Sequence, residues 1–286
     1  MSIVDFHTHI FPPEVIRQRE RYLEKDAWFG CLYADPKSRM ATAEDLVVSM
    51  DRAGIRMSVT FGFAWADPDL DRMANDYVAA ALKRYPDRLI GYAVVNPRSG
   101  TTALREAERC VSEGCRGIGE LMPDGQGYAL DDLETLKSLA GLLAENDLPL
   151  LTHTNEPVGH EYHGKGRTTP EVVYRFASAF PKTRLICAHW GGGLPFYELM
   201  PEVRHTLANV YYDTAASLFL YDKHVFALAG QVCIDKILFA TDYPLIAQER
   251  FLKHIGAAGL DPGSLEKLLG GNAERVLFQN EERAHV

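Results

Sequence analysis

Little in this sequence points toward a membrane, a nucleic acid or an oxidising compartment. No segment approaches the ~20 consecutive apolar residues of a membrane span, and the opening MSIVDFHTHIF has no basic region followed by an apolar run. Basic charge is in deficit: 30 Lys and Arg stand against 39 Asp and Glu, giving a net charge of -9. That balance works against contact with nucleic acid or anionic lipid. Cysteine is scarce. Cys31, Cys110, Cys115, Cys187 and Cys233 form no close paired spacing, and an odd one is left over in any fully paired scheme, so free thiols in a reducing compartment are the simpler reading. Neither GxGxxG nor GxxxxGK[ST] occurs, which lowers the nucleotide-binding alternatives. These absences lead to the expectation of a cytoplasmic, soluble protein that acts on a small molecule, with no nucleic-acid or membrane partner. Self-association into a homo-oligomer stays open.

What is present is an alternation of short apolar runs and longer amphipathic stretches along all 286 residues. Apolar residues make up 47% and charged residues 24%, ordinary values for a globular protein. Candidate strands are Ile3–His9, Ile55–Phe63, Leu89–Asn96, Gly117–Leu121, Leu148–Thr154, Arg184–His189, Val210–Thr214 and Ile237–Thr241. Helical stretches lie between them. In Asp69–Tyr85 the residues Leu70, Met73, Ala74, Tyr77, Val78, Ala81, Leu82 and Tyr85 form a stripe of three-and-four spacing, and Pro86 ends it. Further helices are expected over Ala43–Ala53, Thr101–Gly114, Asp131–Glu145, Pro170–Phe180, Phe196–His205, Tyr221–Val232, Gln248–Ile255 and Pro262–Leu269. Runs such as LLTHT and RLICAH lack strict alternation, as parallel strands covered on both faces do. The pattern predicts a single (β/α)8 TIM barrel over residues 1–286, with residues 11–40 a candidate active-site insertion after strand one.

The residues that carry chemistry gather at strand ends. His7 and His9, two apart on an apolar strand, leave the same face as a rigid pair, with Asp5 sharing that face as a candidate to orient an imidazole. His153 ends LPLLTHTNE, His189 ends RLICAHWGG and Asp242 closes ILFATDYP. A buried carboxylate at Asp242 needs a cation or several donors to stay ionised. Glu120 ends RGIGELMPD, where Gly117 and Gly119 permit close backbone approach; it reads as a metal ligand or bridge, a substrate-contacting carboxylate, or the partner of an arginine. The set His7, His9, Glu120, His153, His189 and Asp242 is rich in nitrogen and oxygen and free of thiolate. It suits one or two divalent ions, zinc first, with manganese or iron admitted.

The long polar stretch NEPVGHEYHGKGRTTP is expected to serve specificity, since loops of that length usually have work to do. His160 and Lys165 there, with His163 and Arg167 beside them, are candidates to meet a substrate anion. Trp28 is a candidate wall of the pocket. Phe29, Trp65 and Trp190 read equally as pocket wall or core, Cys187 reads as buried packing, and His205, His224, His254 and His285 are assigned no role.

Taken together, DFHTHIF, HTNEPVGHEYHGKG, ICAHWGG, FATDYP and the terminal GGNAERVL resemble the amidohydrolase superfamily, in the branch that includes aminocarboxymuconate-semialdehyde decarboxylase and related metal-dependent hydrolases. The resemblance spans essentially the whole chain. It implies a metal-centred barrel in which His7, His9, His153 and Asp242 are ligands. In decarboxylating relatives the counterpart of His189 stands beside a single ion and shares in proton transfer. In two-ion hydrolases that histidine binds the second ion, which a carboxylate or carbamylated lysine bridges to the first. Glu120 occupies the bridging position and no lysine lies near it, a feature similar to the TatD-type deoxyribonuclease branch. The expected activity is therefore hydrolysis of a small ester, lactone or amide by activated water, with Asp242 and His189 catalytic. Nonoxidative decarboxylation of an unsaturated or aromatic acid is the alternative.

Overall fold

The computed structural model describes residues 2–283, and His285 lies outside them. All eight expected strands form: β1 (Val4–His9), β2 (Met57–Phe61), β3 (Leu89–Gly91), β4 (Ile118–Leu121), β5 (Leu150–Thr152), β6 (Leu185–Cys187), β7 (Val210–Asp213) and β8 (Ile237–Leu238). Each strand pairs in parallel with its neighbour in sequence within two runs, β1 to β3 and β4 to β8. Backbone bonds close both gaps. Gly119 N–H donates to Ala93 O at 2.8 Å and Ala93 N–H to Gly117 O at 3.0 Å. On the other side Phe6 N–H donates to Phe239 O at 2.8 Å and His9 N–H to Tyr243 O at 2.7 Å. The result is an eight-stranded parallel barrel of the TIM type with helices between the strands. Its strands are buried along almost their whole length, with Tyr211 alone in between, which is why their sequences run apolar without alternation.

Helix ends follow their local chemistry. Ala43–Ala53 starts on a capping box between Thr42 and Asp45 and stops at Gly54, whose φ of 69° is left-handed. Pro68–Arg84 begins with its proline at the first turn, where the missing N–H costs nothing. The expected helix over Phe196–His205 does not form as one piece. Residues His189–Leu199 make tight turns through left-handed Trp190, Gly191, Gly192 and Gly193, and a regular helix starts only at Pro201 and runs to Thr206. Pro195 and Pro201 break the pattern that hydrophobic spacing alone would continue.

After β1 come three short helices, Pro13–Arg17, Arg19–Lys25 and Ala27–Tyr33, which form a helical insertion. Its aromatic side pins it to the barrel: Phe29 stacks on Tyr33 at 4.6 Å and meets Phe63 and Trp65 at 5.2 and 4.7 Å. Among the described residues no helix is long and apolar enough to cross a membrane.

Candidate metal centre

The six strand-end residues singled out by sequence converge at one end of the barrel. Ligand-capable atoms of His7, His9 and Asp242 lie within 4.8 Å of one another, and so do those of Glu120, His153 and His189. Glu120 stands between the two triads. Its Oε2 is 3.4 Å from His7 Nε2 and 3.5 Å from His9 Nε2, while its Oε1 is 3.0 Å from His153 Nδ1 and 3.6 Å from His189 Nε2. Asp242 Oδ1 lies 3.5 Å from His9 Nε2 and 3.7 Å from His7 Nε2.

The backbone pays for this convergence at particular points, as ligand sites often do. His189 and Asp242 both sit in the left-handed region, with φ of 55° and 62°, which turns each side chain off its strand and over the barrel mouth. Gly119, at φ 121°, brings β4 so close to β5 that a Cβ there would collide with the Leu151 carbonyl. Glu120 follows it directly.

The donor set fits a divalent metal ion. His7 Nε2 and His9 Nε2 face each other at 3.1 Å, and His153 Nδ1 faces His189 Nε2 at 3.1 Å. Two imidazole nitrogens at that distance compete for one proton, whereas a cation between them satisfies both lone pairs and the carboxylates together. Electrostatics point the same way. Burial alone pushes Glu120 up, but the charge of His7 and hydrogen bonds with His153, His189 and His7 hold it well below the usual carboxylate range. Asp242 is likewise pushed up by burial and brought down to about 2 by the His9 hydrogen bond and the charges of His7, His189 and His9. Burial lowers His189, yet Glu120 and Asp242 raise it to about 9. Both carboxylates thus stay ionised only against positive charge, the role that a divalent cofactor fills.

One supporting residue escaped the sequence reading. Asp213, at the end of β7, accepts from His7 Nδ1–H at 2.8 Å and, through its other oxygen, from the backbone N–H groups of His189 and Ala215 at 3.0 and 2.9 Å. Its signal was available, since VYYD places an acid at a strand end as surely as ILFATD does. The orienting role expected of Asp5 belongs to Asp213 instead. Asp5 is fully buried and its carboxylate takes Thr241 Oγ1 at 2.6 Å, Thr241 N–H at 3.0 Å and Gln248 Nε2 at 2.8 Å.

Above the triads lies a cavity of about 510 Å³. His9, Glu120, His153, His189 and Asp242 line its floor, and Leu32, Met122, Phe219, Leu220 and Leu245 give it an apolar wall. His160 and His163 reach it, and so do Tyr33 and Arg39 of the segment after β1, neither of which was singled out by sequence. Burial and the charges of Asp242 and Glu120 push the Tyr33 phenol up, so it stays a hydrogen-bond donor. Trp28 and Lys165 are placed elsewhere. The Trp28 indole covers Gly125, and Lys165 Nζ turns into its own loop, 3.1 Å from His160 O and 3.3 Å from Gly159 O. Trp65 and Trp190 are buried in the core, as is Cys187.

Comparison with known proteins adds the family context. A family model described as Amidohydrolase matches residues 4–279. Gamma-resorcylate decarboxylase of Rhizobium radiobacter is 24% identical over 294 residues, covering 84% of this chain and 87% of that protein. Among solved structures, 5-carboxyvanillate decarboxylase from Sphingomonas paucimobilis superposes with a TM-score of 0.80 at 17% identity, over 96% of this chain and 98% of that one. Dihydroxybenzoic acid decarboxylase from Polaromonas, with bound manganese and the inhibitor 2-nitroresorcinol, gives 0.73 at 20% identity, over 98% and 97%. At these identities the structural likeness establishes the barrel.

The expectation of a hydrolase of esters, lactones or amides is corrected by these relatives, which are decarboxylases. It rested on Glu120 standing between two ligand groups, and Glu120 does stand there. A carboxylate in that position gathers positive charge whichever bond is broken, so its placement alone does not name the reaction.

Proposed function

Because the chain belongs to the amidohydrolase family, we propose that it is a divalent-metal-dependent carboxy-lyase that removes carbon dioxide from a small aromatic carboxylic acid. The observation that carries this reading is the cavity itself, an apolar slot with ionised Asp242 and Glu120 at its floor and Arg39, His160 and His163 around it. A flat ring fits the apolar wall, and its anionic substituents need the cationic edge. The Arg39 guanidinium makes no ion pair or hydrogen bond among the described residues, which leaves it free to hold such an anion. The gamma-resorcylate decarboxylase relatives support the same substrate class.

His7, His9 and Asp242 would hold one ion, and Glu120, His153 and His189 present donors for a second. When bound, a divalent ion supplies Lewis acidity that draws charge from the oxygens of the substrate. The remaining work belongs to the chain. When the bond to the carboxylate breaks, its electron pair stays on the ring carbon, and a proton must be delivered to that carbon. Asp242 and His189 line the floor and are the groups assigned to carry it. Arg39 fixes the ring so that this carbon faces them. The donor set suits zinc or manganese, and the manganese in the Polaromonas relative supports the latter.

The test is to load the purified protein separately with zinc and manganese, count the ions, and offer 2,6-dihydroxybenzoate and 5-carboxyvanillate beside a panel of aryl esters and lactones. Carbon dioxide release with loss of the carboxyl resonance is the expected result. Ester or lactone turnover with no decarboxylation in either metal form overturns the reading.

A further inference from the structure

Asn155 follows His153 by two residues, is fully buried, and commits its polar atoms to the loop that rises from β5. Its backbone N–H donates to Thr168 O at 2.9 Å, closing the excursion at its base. Its Oδ1 accepts from Gly166 N–H at 2.9 Å, and its Nδ2 lies 3.2 Å from the Tyr162 hydroxyl oxygen. Tyr162 spends its own proton on Glu156 Oε2 at 2.8 Å. The hydroxyl oxygen is therefore an acceptor, and the orientation of the Asn155 amide follows from its neighbours.

Folded in this way, the loop returns the Gly164 carbonyl to 3.0 Å from His153 Nε2. Asn155 Nδ2 also faces this nitrogen, at 3.2 Å, and the Gly164 carbonyl at 3.5 Å. With an ion at the triad, Gly164 O, the nearer group and an acceptor only, takes Nε2–H and leaves the lone pair on Nδ1, the atom that faces Glu120 Oε1 and His189 Nε2. The backbone carbonyl of Asn155 packs so tightly against Gly192 that a Cβ there would collide with it. Gly192 belongs to the left-handed turn that follows His189. One buried residue thus touches both turns, its side chain holding the loop over His153 and its backbone packing against the turn after His189.

We propose that Asn155 is a positioning residue for the triad Glu120, His153 and His189: it folds residues 156–168 into a clasp whose Gly164 carbonyl orients His153. Retention of an ion at this triad and closure of the cavity wall formed by His160, His163 and Gly164 are then one event. The inference rests on the metal centre and is independent of which bond the enzyme breaks.

The experiment uses the full chain loaded with manganese, in the wild type and in Asn155→Ala, Asn155→Asp and Tyr162→Phe. Ion retention is read by competition with a chelator, and loop closure by the rate of tryptic cleavage after Lys165 and Arg167. Asn155→Ala is expected to weaken retention of the ion at the second triad about 10–100-fold, leave the ion at His7, His9 and Asp242 within about 2-fold, and speed cleavage. Asn155→Asp keeps the volume but turns a second oxygen toward the Gly164 carbonyl and Tyr162, so it shifts both readouts in the same direction. Tyr162→Phe keeps the Gly166 bond and shifts them less. Should the alanine variant not fold, the aspartate and phenylalanine variants decide. The proposal is overturned if both ions weaken equally, if cleavage rises with retention unchanged, or if the wild type holds one ion that no variant loosens.

Discussion

His7 Nδ1 and Asp213 Oδ2 stand 2.8 Å apart with neither side chain exposed. The other Asp213 oxygen is taken by two backbone N–H groups, so this carboxylate has one free direction and His7 occupies it. The contact fixes the proton on Nδ1 and leaves Nε2 to face His9 and Glu120. Asp213→Asn keeps the shape and the backbone bonds but turns an N–H toward Nδ1, which forces the proton to the wrong nitrogen. Loss of metal affinity by about 10–100-fold is expected, read by chelator competition on a protein whose circular dichroism is unchanged. Wild-type affinity in that variant removes Asp213 from the site.

Asp242 is the acid of the first triad that also lines the cavity. Asp242→Asn is expected to lower kcat by about 10²–10⁴-fold, the usual worth of a positioned proton carrier, while the protein still binds metal. Decarboxylation at the wild-type rate would exclude it from proton transfer.

Arg39 is exposed and makes no ion pair or hydrogen bond among the described residues, so its removal should leave the fold intact. Arg39→Ala is expected to raise KM for an aromatic acid by roughly 10-fold, the equivalent of one charge-assisted contact at a partly solvated edge, with a smaller change in kcat. The rise should shrink with added salt, because the contact is partly screened. An unchanged KM places the substrate anion elsewhere.

Asp71 provides a pH dependence away from the metal centre. Burial, with the charges of Asp26, Glu106 and Asp67 adding to it, raises its carboxyl well above the usual range against one opposing hydrogen bond from Trp65 N–H. An acid raised on folding binds its proton more tightly in the native state. Stability from this residue is therefore full at pH below its unfolded value and falls as pH rises toward the folded value, by up to ~1.4 kcal/mol per pH unit in that window. Asp71→Asn should abolish this slope, so the urea midpoint of the variant rises relative to wild type as pH climbs from the ordinary carboxyl range toward neutrality. A constant difference across that range would show that Asp71 does not titrate on unfolding.

Gly119→Ala tests the approach of β4 to β5. The added methyl meets the Leu151 carbonyl at a backbone φ of 121°, a conformation that alanine resists even in open space. Destabilisation of at least ~2 kcal/mol is expected in chemical denaturation, with metal loss accompanying it because Glu120 is next in line. A wild-type midpoint would mean that β4 can retreat without cost.

Much of this was legible before the fold was known, for a definite reason. In a parallel barrel the chain returns to the same end eight times, so a reactive residue that closes an apolar run is delivered to the common rim. His7, His9, Glu120, His153, His189 and Asp242 all close such runs and all converge. Asp213 obeys the same rule and was overlooked because its role is to hold a ligand. Arg39 obeys no local rule. It lies in an irregular segment, and only the path of the insertion across the barrel brings it to the cavity. Trp28 shows the converse, an aromatic in the right segment that the helix turns toward Gly125. The reaction was misread because Glu120 reports on charge, and charge does not distinguish the bonds.

Asp5 joins the first strand to Thr241 and Gln248 near the far end of the chain, in contacts that span 236 and 243 residues. The same seam sets Asp242 beside His7 and His9. The first ion position is therefore assembled only by long-range closure: His7 and His9 come from β1 and Asp242 follows β8, so its donors meet only when the barrel closes. An ion held there reports that the first and last strands of the barrel have joined.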